Sequence, residues 1–346
     1  MRILVTGGAG FVGSHVAEYY AKQGDDVVVF DNLSRSELLG YEAVDVLYNW
    51  NYLKQYEMIE LIKGDIRDAD KLTELAKDVD VLIHTAAQTA VTTSLENPKT
   101  DFEINALGTF NVLEAARLSE VNPCLIYCST NKVYGDNVNK IAVLESSKRY
   151  EFADDIYREG IPEDFPTDLC EHTPYGASKF TGDIYVQDYA RVYGLKTGVF
   201  RMSCIYGTRQ FGVEDQGWVA WFTIATLLGK PITIYGDGKQ VRDVLYINDL
   251  VKVYDLFITS NSKQEVFNIG GGYENTLSLL ELLDSVEEIT SKRTKVGYSN
   301  WRPSDQKVYI SDISKAKEEL GWRPEVNPRE GVEKLVEWVR ANKALF

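Results

Sequence analysis

A short apolar run, Arg2-Ile-Leu-Val-Thr6, leads directly into Gly7-Gly-Ala-Gly10-Phe11-Val12-Gly13. The glycines stand at G-x-x-G-x-x-G spacing, and a helix is predicted to follow through about Gln23. Glycines so placed permit a tight turn, close approach of a pyrophosphate and close helix–strand packing, while the helix start at Phe11 and Val12 offers N–H groups to phosphate oxygens. A second apolar run, Asp26-Val-Val-Val-Phe30, ends at Asp31. An acid about 20 residues past the glycines is where a dinucleotide's adenosine ribose is held. Asp31 favours NAD; Arg35, close by, leaves room for a 2′-phosphate and so for NADP.

Strand-like and helix-like segments then alternate. Met58–Ile62, Val81–Ile83, Leu125–Ser129 and Thr197–Arg201 read as strands. This rhythm predicts an α/β fold with a doubly wound parallel sheet of Rossmann type and ligands at the carboxyl ends of its strands. Asp31, Asp65, His84 and Ser129 fall at or just past such ends. His84 is read as a buried, hydrogen-bonded structural residue.

Composition narrows the function classes. The 346 residues carry 52 acidic and 37 basic side chains, a net charge of −15. That balance argues against nucleic-acid binding, and any anionic ligand must be met by local arginines. No apolar run approaches the roughly 20 residues of a membrane span. Met1-Arg2-Ile3-Leu4-Val5 enters the glycine turn at once, so no leader and a cytoplasmic location are expected. Four cysteines without a CxxC pair suggest no disulfide framework, and three scattered histidines suggest no metal site.

Tyr175-Gly-Ala-Ser-Lys179 sets a phenol and an ammonium on one helix face. The cation is expected to lower the phenol's pKa and make Tyr175 a base toward an alcohol. Alone the pair is weak, because Tyr and Lys at this spacing also occur on solvated faces.

With the pieces Thr6–Gly13, Asp31–Ser34, Gly64–Ile66, His84–Gln88, Asn105, Ser129-Thr130, Val133–Gly135, Tyr175/Lys179, Gly236–Asp243, Asn268–Gly270 and Gly321–Pro324 in this order, the chain resembles the extended short-chain dehydrogenase/reductase family, the nucleotide-sugar epimerases and dehydratases. The resemblance covers nearly the whole chain. It implies Tyr175 as the catalytic base, Lys179 as its partner and a ligand of the nicotinamide ribose, and Thr130 as the hydroxyl beside the reacting oxygen. It places Asp65 and Ile66 beside the adenine, with Asn32 and Ser34 among the residues that bind the cofactor. Ala86, Ala87 and Gln88 would line the cofactor, and Asn105 would support the site, although a helix-start cap is the plainer reading of Asn105. A smaller C-terminal lobe would bind the nucleotide sugar, with 1–175 mainly the NAD-binding domain and 176–346 completing the sheet and forming the lobe. A homodimer or homotetramer is implied by resemblance only.

Three departures refine this. Dehydratases of the family carry Asp-Glu after the threonine; here Asn131 and Lys132 stand there, and neither replaces an acid–base pair of carboxyls. Insertions occur at about 37–56, rich in tyrosine, and at about 136–170, acidic and loop-like. Arg209-Gln210-Phe211 with Asp215–Phe222, together with Ser129–Lys132, are similar to members that invert C2 of a CDP-linked dideoxyhexose. Arg242 and Arg302 are the expected diphosphate clamps, with Arg209 a third candidate. Asp243 and Asp305 are placed to orient them, and Asn131 and Ser203 would leave room for a sugar to turn. A UDP-hexose 4-epimerase, and a non-catalytic NAD-binding sensor, are the alternatives.

Overall fold

In the computed structural model the described residues are 1–39, 46–302 and 304–346. They form two compact units. The first takes Met1–Val133, Thr173–Arg201 and Val251–Phe267; the second takes Tyr134–His172, Met202–Leu250 and Asn268–Phe346.

The first unit is built on a seven-stranded, Rossmann-like sheet. Its strands in chain order are β1 (Arg2–Thr6), β2 (Asp26–Asp31), β3 (Ile59–Lys63), β4 (Val81–His84), β5 (Cys124–Thr130), β6 (Thr197–Met202) and β7 (Gln264–Ile269). The spatial order is β7-β6-β5-β4-β1-β2-β3, and the β1–β2, β1–β4, β2–β3 and β4–β5 pairs are parallel. Strands buried on both faces need continuous apolar runs, and Ile3, Leu4, Val5, Val29, Phe30, Leu82, Ile83 and Ile126 are each fully buried. The expected strand Met58–Ile62 sits one residue later, because register sets Asp31 opposite Lys63 and Val27 opposite Ile59. β7 had no reading as a strand in the sequence; Gln264-Glu-Val-Phe-Asn-Ile269 alternates too little to announce itself.

The helix Phe11–Gln23 buries Val16, Ala17 and Tyr20 and stops at Gly24, whose φ of 87° closes the helix with N–H bonds back to Tyr20 and Ala21. Two further helical segments frame the site. One runs Pro98–Phe102, Glu103–Leu107 and Gly108–Leu118, the middle turn being a π-helix. The other is the long helix Thr173–Tyr193. The insertion at 37–56 has its residues 40–45 outside the described part. Of the rest, helix Val46–Leu53 buries Asn49 and Leu53, and the Tyr52 and Tyr56 hydroxyls donate to Glu18 at 2.8 and 2.9 Å, so this segment packs on the first helix.

The second unit centres on the strand Val241–Tyr246. It pairs in parallel with Cys204–Tyr206 and Val308–Tyr309 and antiparallel with Thr276–Ser278. The insertion at 136–170 is built into this unit: it forms the hairpin Val143–Glu145/Tyr150–Phe152, Ile161 bridges Ser311, and Tyr150 joins Val241, Val308 and Ile310 in a small core.

Candidate functional site

The carboxyl ends of β1 and β2 meet at the glycine turn. Gly7 has φ 71°, and a Cβ there would stand 2.5 Å from the Ala86 nitrogen; at Gly13 it would stand 2.4 Å from the Gly7 carbonyl oxygen. No larger residue fits either position. A Cβ at Gly10 would meet only that same oxygen, at 3.0 Å. Gly10 is the N-cap of the first helix and supplies no capping side chain, so the leading N–H groups around Phe11 and Val12 keep their donors for an anion. The turn is a cradle that fits a pyrophosphate.

Asp31 holds this cradle. Its Oδ2 accepts from the Ala9 N–H at 2.9 Å and its Oδ1 from Leu33 N–H at 2.7 Å, while burial raises its pKa. Asn32 accepts from Ser34 through both N–H (3.0 Å) and hydroxyl (2.7 Å) and donates to Asp65 at 2.8 Å. Asp65 in turn receives two side-chain bonds from Arg67, which hold its carboxyl down at about 2. Arg35 opens the short helix Arg35–Leu39. Ile66 is buried; Asn32, Ser34, Arg35, Asp65, Ala86 and Ala87 are half-buried along the same sheet edge.

Tyr175 and Lys179 lie one turn apart at the start of the long helix, where the Tyr175 N–H donates to Ser94 Oγ at 3.2 Å. Thr130 ends β5, and its hydroxyl lies near enough to the Tyr175 phenol to favour the phenolate. Thr130 also donates to Asn131 Oδ1 at 3.3 Å. The structure thus brings Thr130, Tyr175 and Lys179 into one group. It corrects the expectation for the phenol: burial dominates and pushes Tyr175 up to about 12, with the nearby Thr130 hydroxyl only partly offsetting it. Burial likewise drops Lys179 to about 8. Lys179 is 3% exposed, and its ammonium lies 4.3 Å from the centre of the Tyr127 ring.

Asn105 is not a helix-start cap. It sits in the π-turn, a frequent device at functional sites, and its amide exchanges hydrogen bonds with the Gln88 backbone at 2.9 and 3.0 Å. Its Nδ2 also reaches Asp101 Oδ1 (3.1 Å) and Ser178 Oγ (3.2 Å). Gln88 Nε2 donates to Asp101 at 2.9 Å. Asp101, Ser178 and Tyr127 were invisible to motif reading; the only hint was a polar pair, Asp101 and Asn105, one turn apart. His84 is structural, as expected. Thr109 donates its hydroxyl proton to the Asn105 carbonyl, so His84 Nε2–H must be the donor to Thr109 Oγ1 (3.0 Å), leaving Nδ1 to accept from Thr6 (2.7 Å).

The second unit holds the other expected residues. Arg242 is buried, with Nη2 2.6 Å from Asp305 Oδ1 and Nη1 donating to its neighbour's carbonyl, Val241 O, at 2.8 Å. Asp243 does not orient it: that carboxyl faces the opposite way along the strand and accepts from Ser203 Oγ at 2.5 Å and Gly272 N–H at 3.3 Å. Arg302 pairs with Asp215 at 2.9 Å and stacks over Tyr235, 4.1 Å from the ring centre. Arg302 and Asp305 line a cavity of about 590 Å³ with Trp301, Lys140 and Lys307. Arg209 is buried at φ 58°, and Gln210 donates to the Ile205 carbonyl at 3.2 Å.

A profile of the NAD dependent epimerase/dehydratase family matches residues 3–270. The chain belongs to this family. The cofactor expected from the glycine turn, NAD, is the family's own, and the protein is an enzyme of the nucleotide-sugar epimerase type. The chain is 43% identical to a CDP-paratose 2-epimerase of Salmonella typhi, over 98% of this chain and 99% of that one. It is 34% identical to a putative UDP-glucose 4-epimerase of Methanocaldococcus jannaschii, over 98% and 99%. Among solved structures, a UDP-glucuronic acid 4-epimerase from Bacillus cereus, in complex with UDP-glucuronic acid and NAD, superposes with a TM-score of 0.82 at 28% identity, covering 99% of this chain and 100% of that one. No helix among the described residues is long and apolar enough to cross a membrane.

Proposed function

We propose that this enzyme inverts C2 of a CDP-linked 3,6-dideoxyhexose, converting CDP-paratose to CDP-tyvelose, through a transient 2-keto sugar. The observation that carries this reading is a Thr130–Tyr175–Lys179 group beside Asn131 and Lys132, where an eliminating enzyme needs two carboxyls. The full-length similarity to a CDP-paratose 2-epimerase supports the choice of carbon and nucleotide.

In this reading the cradle of Gly7, Gly10, Phe11, Val12 and Gly13 holds the pyrophosphate of NAD, Asp31 its adenosine ribose, and Lys179 its nicotinamide ribose. Bound NAD supplies a hydride acceptor, then donor, and a cationic ring. Tyr175 takes the proton of the C2 hydroxyl and later returns it. Thr130 hydrogen-bonds the same oxygen as charge develops on it. The cation of Lys179 favours the phenolate, which burial and the charge of Asp101 oppose. Arg242 and Arg302 grip the diphosphate, a guanidinium being able to hold two phosphate oxygens. The short side chain of Asn131 leaves space for the sugar to present its other face. Exposed Phe102, Leu107, Phe110, Ile184, Tyr185 and Val192 on the two framing helical segments support a homodimer, and the reading places the enzyme in the cytoplasm.

The NAD-loaded protein incubated with CDP-paratose in deuterated water should give CDP-tyvelose without deuterium at C2 by NMR. Tyr175→Phe should cut turnover by roughly 10²–10⁴-fold while NAD stays bound. Turnover of UDP-glucose but not of CDP-paratose would move the assignment to a UDP-hexose 4-epimerase, the second reading favoured by the 4-epimerase relatives.

A further inference from the structure

Asp101 is a buried acid with no part in the chemistry above. It lies one turn before Asn105 and is 1% exposed. Its Oδ1 accepts from Gln88 Nε2 at 2.9 Å and Asn105 Nδ2 at 3.1 Å, and its Oδ2 from Ser178 Oγ at 2.5 Å. All three donors are neutral, and no cation among the described residues hydrogen-bonds it. A carboxylate buried this deeply is costly unless a nearby charge compensates.

The candidate compensating charge is Lys179, next in the chain to Ser178, whose hydroxyl bonds this carboxylate. Burial raises the Asp101 pKa and lowers that of Lys179, and each charge partly offsets the other's shift. Other groups face Lys179. Asp183, on its own helix, is already answered by Arg201 at 3.0 and 3.1 Å and by Ser129 at 2.7 Å. Cys128 on β5 is a thiol pushed up to about 11, and His84 on β4 is held neutral, its pKa down at about 3. Tyr175 is protonated at neutral pH, its phenol raised by burial and, to a lesser degree, by the same Asp101 charge. Among the described residues Asp101 is the acid in this group whose charge no hydrogen-bonded cation meets.

We propose that Asp101 is the buried counterion of Lys179: it keeps the ammonium protonated inside the protein and, through Ser178, sets the turn of helix between Tyr175 and Lys179. It is a positioning residue, and the inference rests on reading Lys179 as the cation beside the reacting phenol. The design follows from its surroundings. Three neutral donors orient the carboxylate without neutralising it, so its charge remains for Lys179.

NMR titration of NAD-loaded protein carrying ¹³Cε-lysine tests this, with the Lys179 signal identified by Lys179→Arg. Asp101→Asn should lower the Lys179 titration by about one pH unit or more. Ser178→Ala, which removes one hydrogen bond and keeps the charge, should leave it near that of the parent. An unmoved titration in Asp101→Asn, or an equal movement in Ser178→Ala, would reduce Asp101 to a packing role and overturn the proposal. Should Asp101→Asn not fold, Lys179→Met probes the pair from the other side: the Asp101 carboxyl, followed by ¹³Cγ-aspartate, should titrate at least about one pH unit higher. No movement there would equally overturn it. Neither readout needs a substrate, so a chain inactive on every nucleotide sugar can still show the coupling, and an active one can fail to.

Discussion

Single residues around Tyr175 differ in how their charge is kept. Burial raises the Asp101 pKa and lowers that of Lys179, each partly offset by the other's charge, whereas His84 is buried neutral between two threonine hydroxyls. Its folded pKa lies near 3, below the ordinary 6.5. Below 6.5 the unfolded chain therefore takes up a proton that the folded chain refuses, and stability is lost as pH falls from about 6.5 toward about 3. The slope from this one group approaches about 1.4 kcal/mol per pH unit. Urea unfolding across that range should show a shallower acid slope for His84→Gln than for the parent. Equal slopes would mean that the imidazole is charged in the fold. At this scale the motif residues were legible, because Tyr175, Lys179, Thr130 and Asp31 stand at spacings with chemical meaning. Their electrostatics were not. A lysine four residues away suggested a lowered phenol pKa, but only three-dimensional burial shows desolvation winning, and no spacing rule connects Asp101 to Ser178, 77 residues later.

Among the elements, those of the glycine turn were read closely from sequence: the helix Phe11–Gln23 and strand Asp26–Asp31 fall where the apolar runs and glycines put them. The second unit was not, since its strands are short and pair across long separations, such as Val241 with Ser278 and with Val308. The glycine turn also offers a sharp contrast. Gly13→Ala drives a methyl to 2.4 Å from the Gly7 carbonyl oxygen, which a backbone cannot easily yield. It should cost about 1–3 kcal/mol and deform the anion cradle. Gly24→Ala, at φ 87° with open space around it, should cost about 1–2 kcal/mol of left-handed strain at the far end of the same helix. Calorimetric titration with NAD should then show affinity lost in Gly13→Ala and retained in Gly24→Ala. Equal NAD affinities would remove the close-packing account of the turn.

For the molecule as a whole, the order of the chain is not the order of its units. The unit built on the large sheet starts at Met1 yet is completed by Thr173–Arg201 and Val251–Phe267. Without the last piece the sheet has no β7 and leaves β6 an open edge, which invites aggregation. A protein truncated after Leu250 should accordingly give mostly insoluble material that binds no NAD, measured against the full chain at equal expression. A monomeric, NAD-binding truncation would show the last strand to be dispensable. The same interleaving bears on inheritance. A gene whose two units alternate along the reading frame cannot exchange the whole second unit with a relative by a single crossover, because a cut that carries all of it also divides the first. New sugars must be reached by point changes, or by lengthening a loop that begins and ends in one unit. The stretch Tyr134–His172, which enters and leaves the second unit without carrying any strand of the large sheet, is where such a lineage has room to innovate.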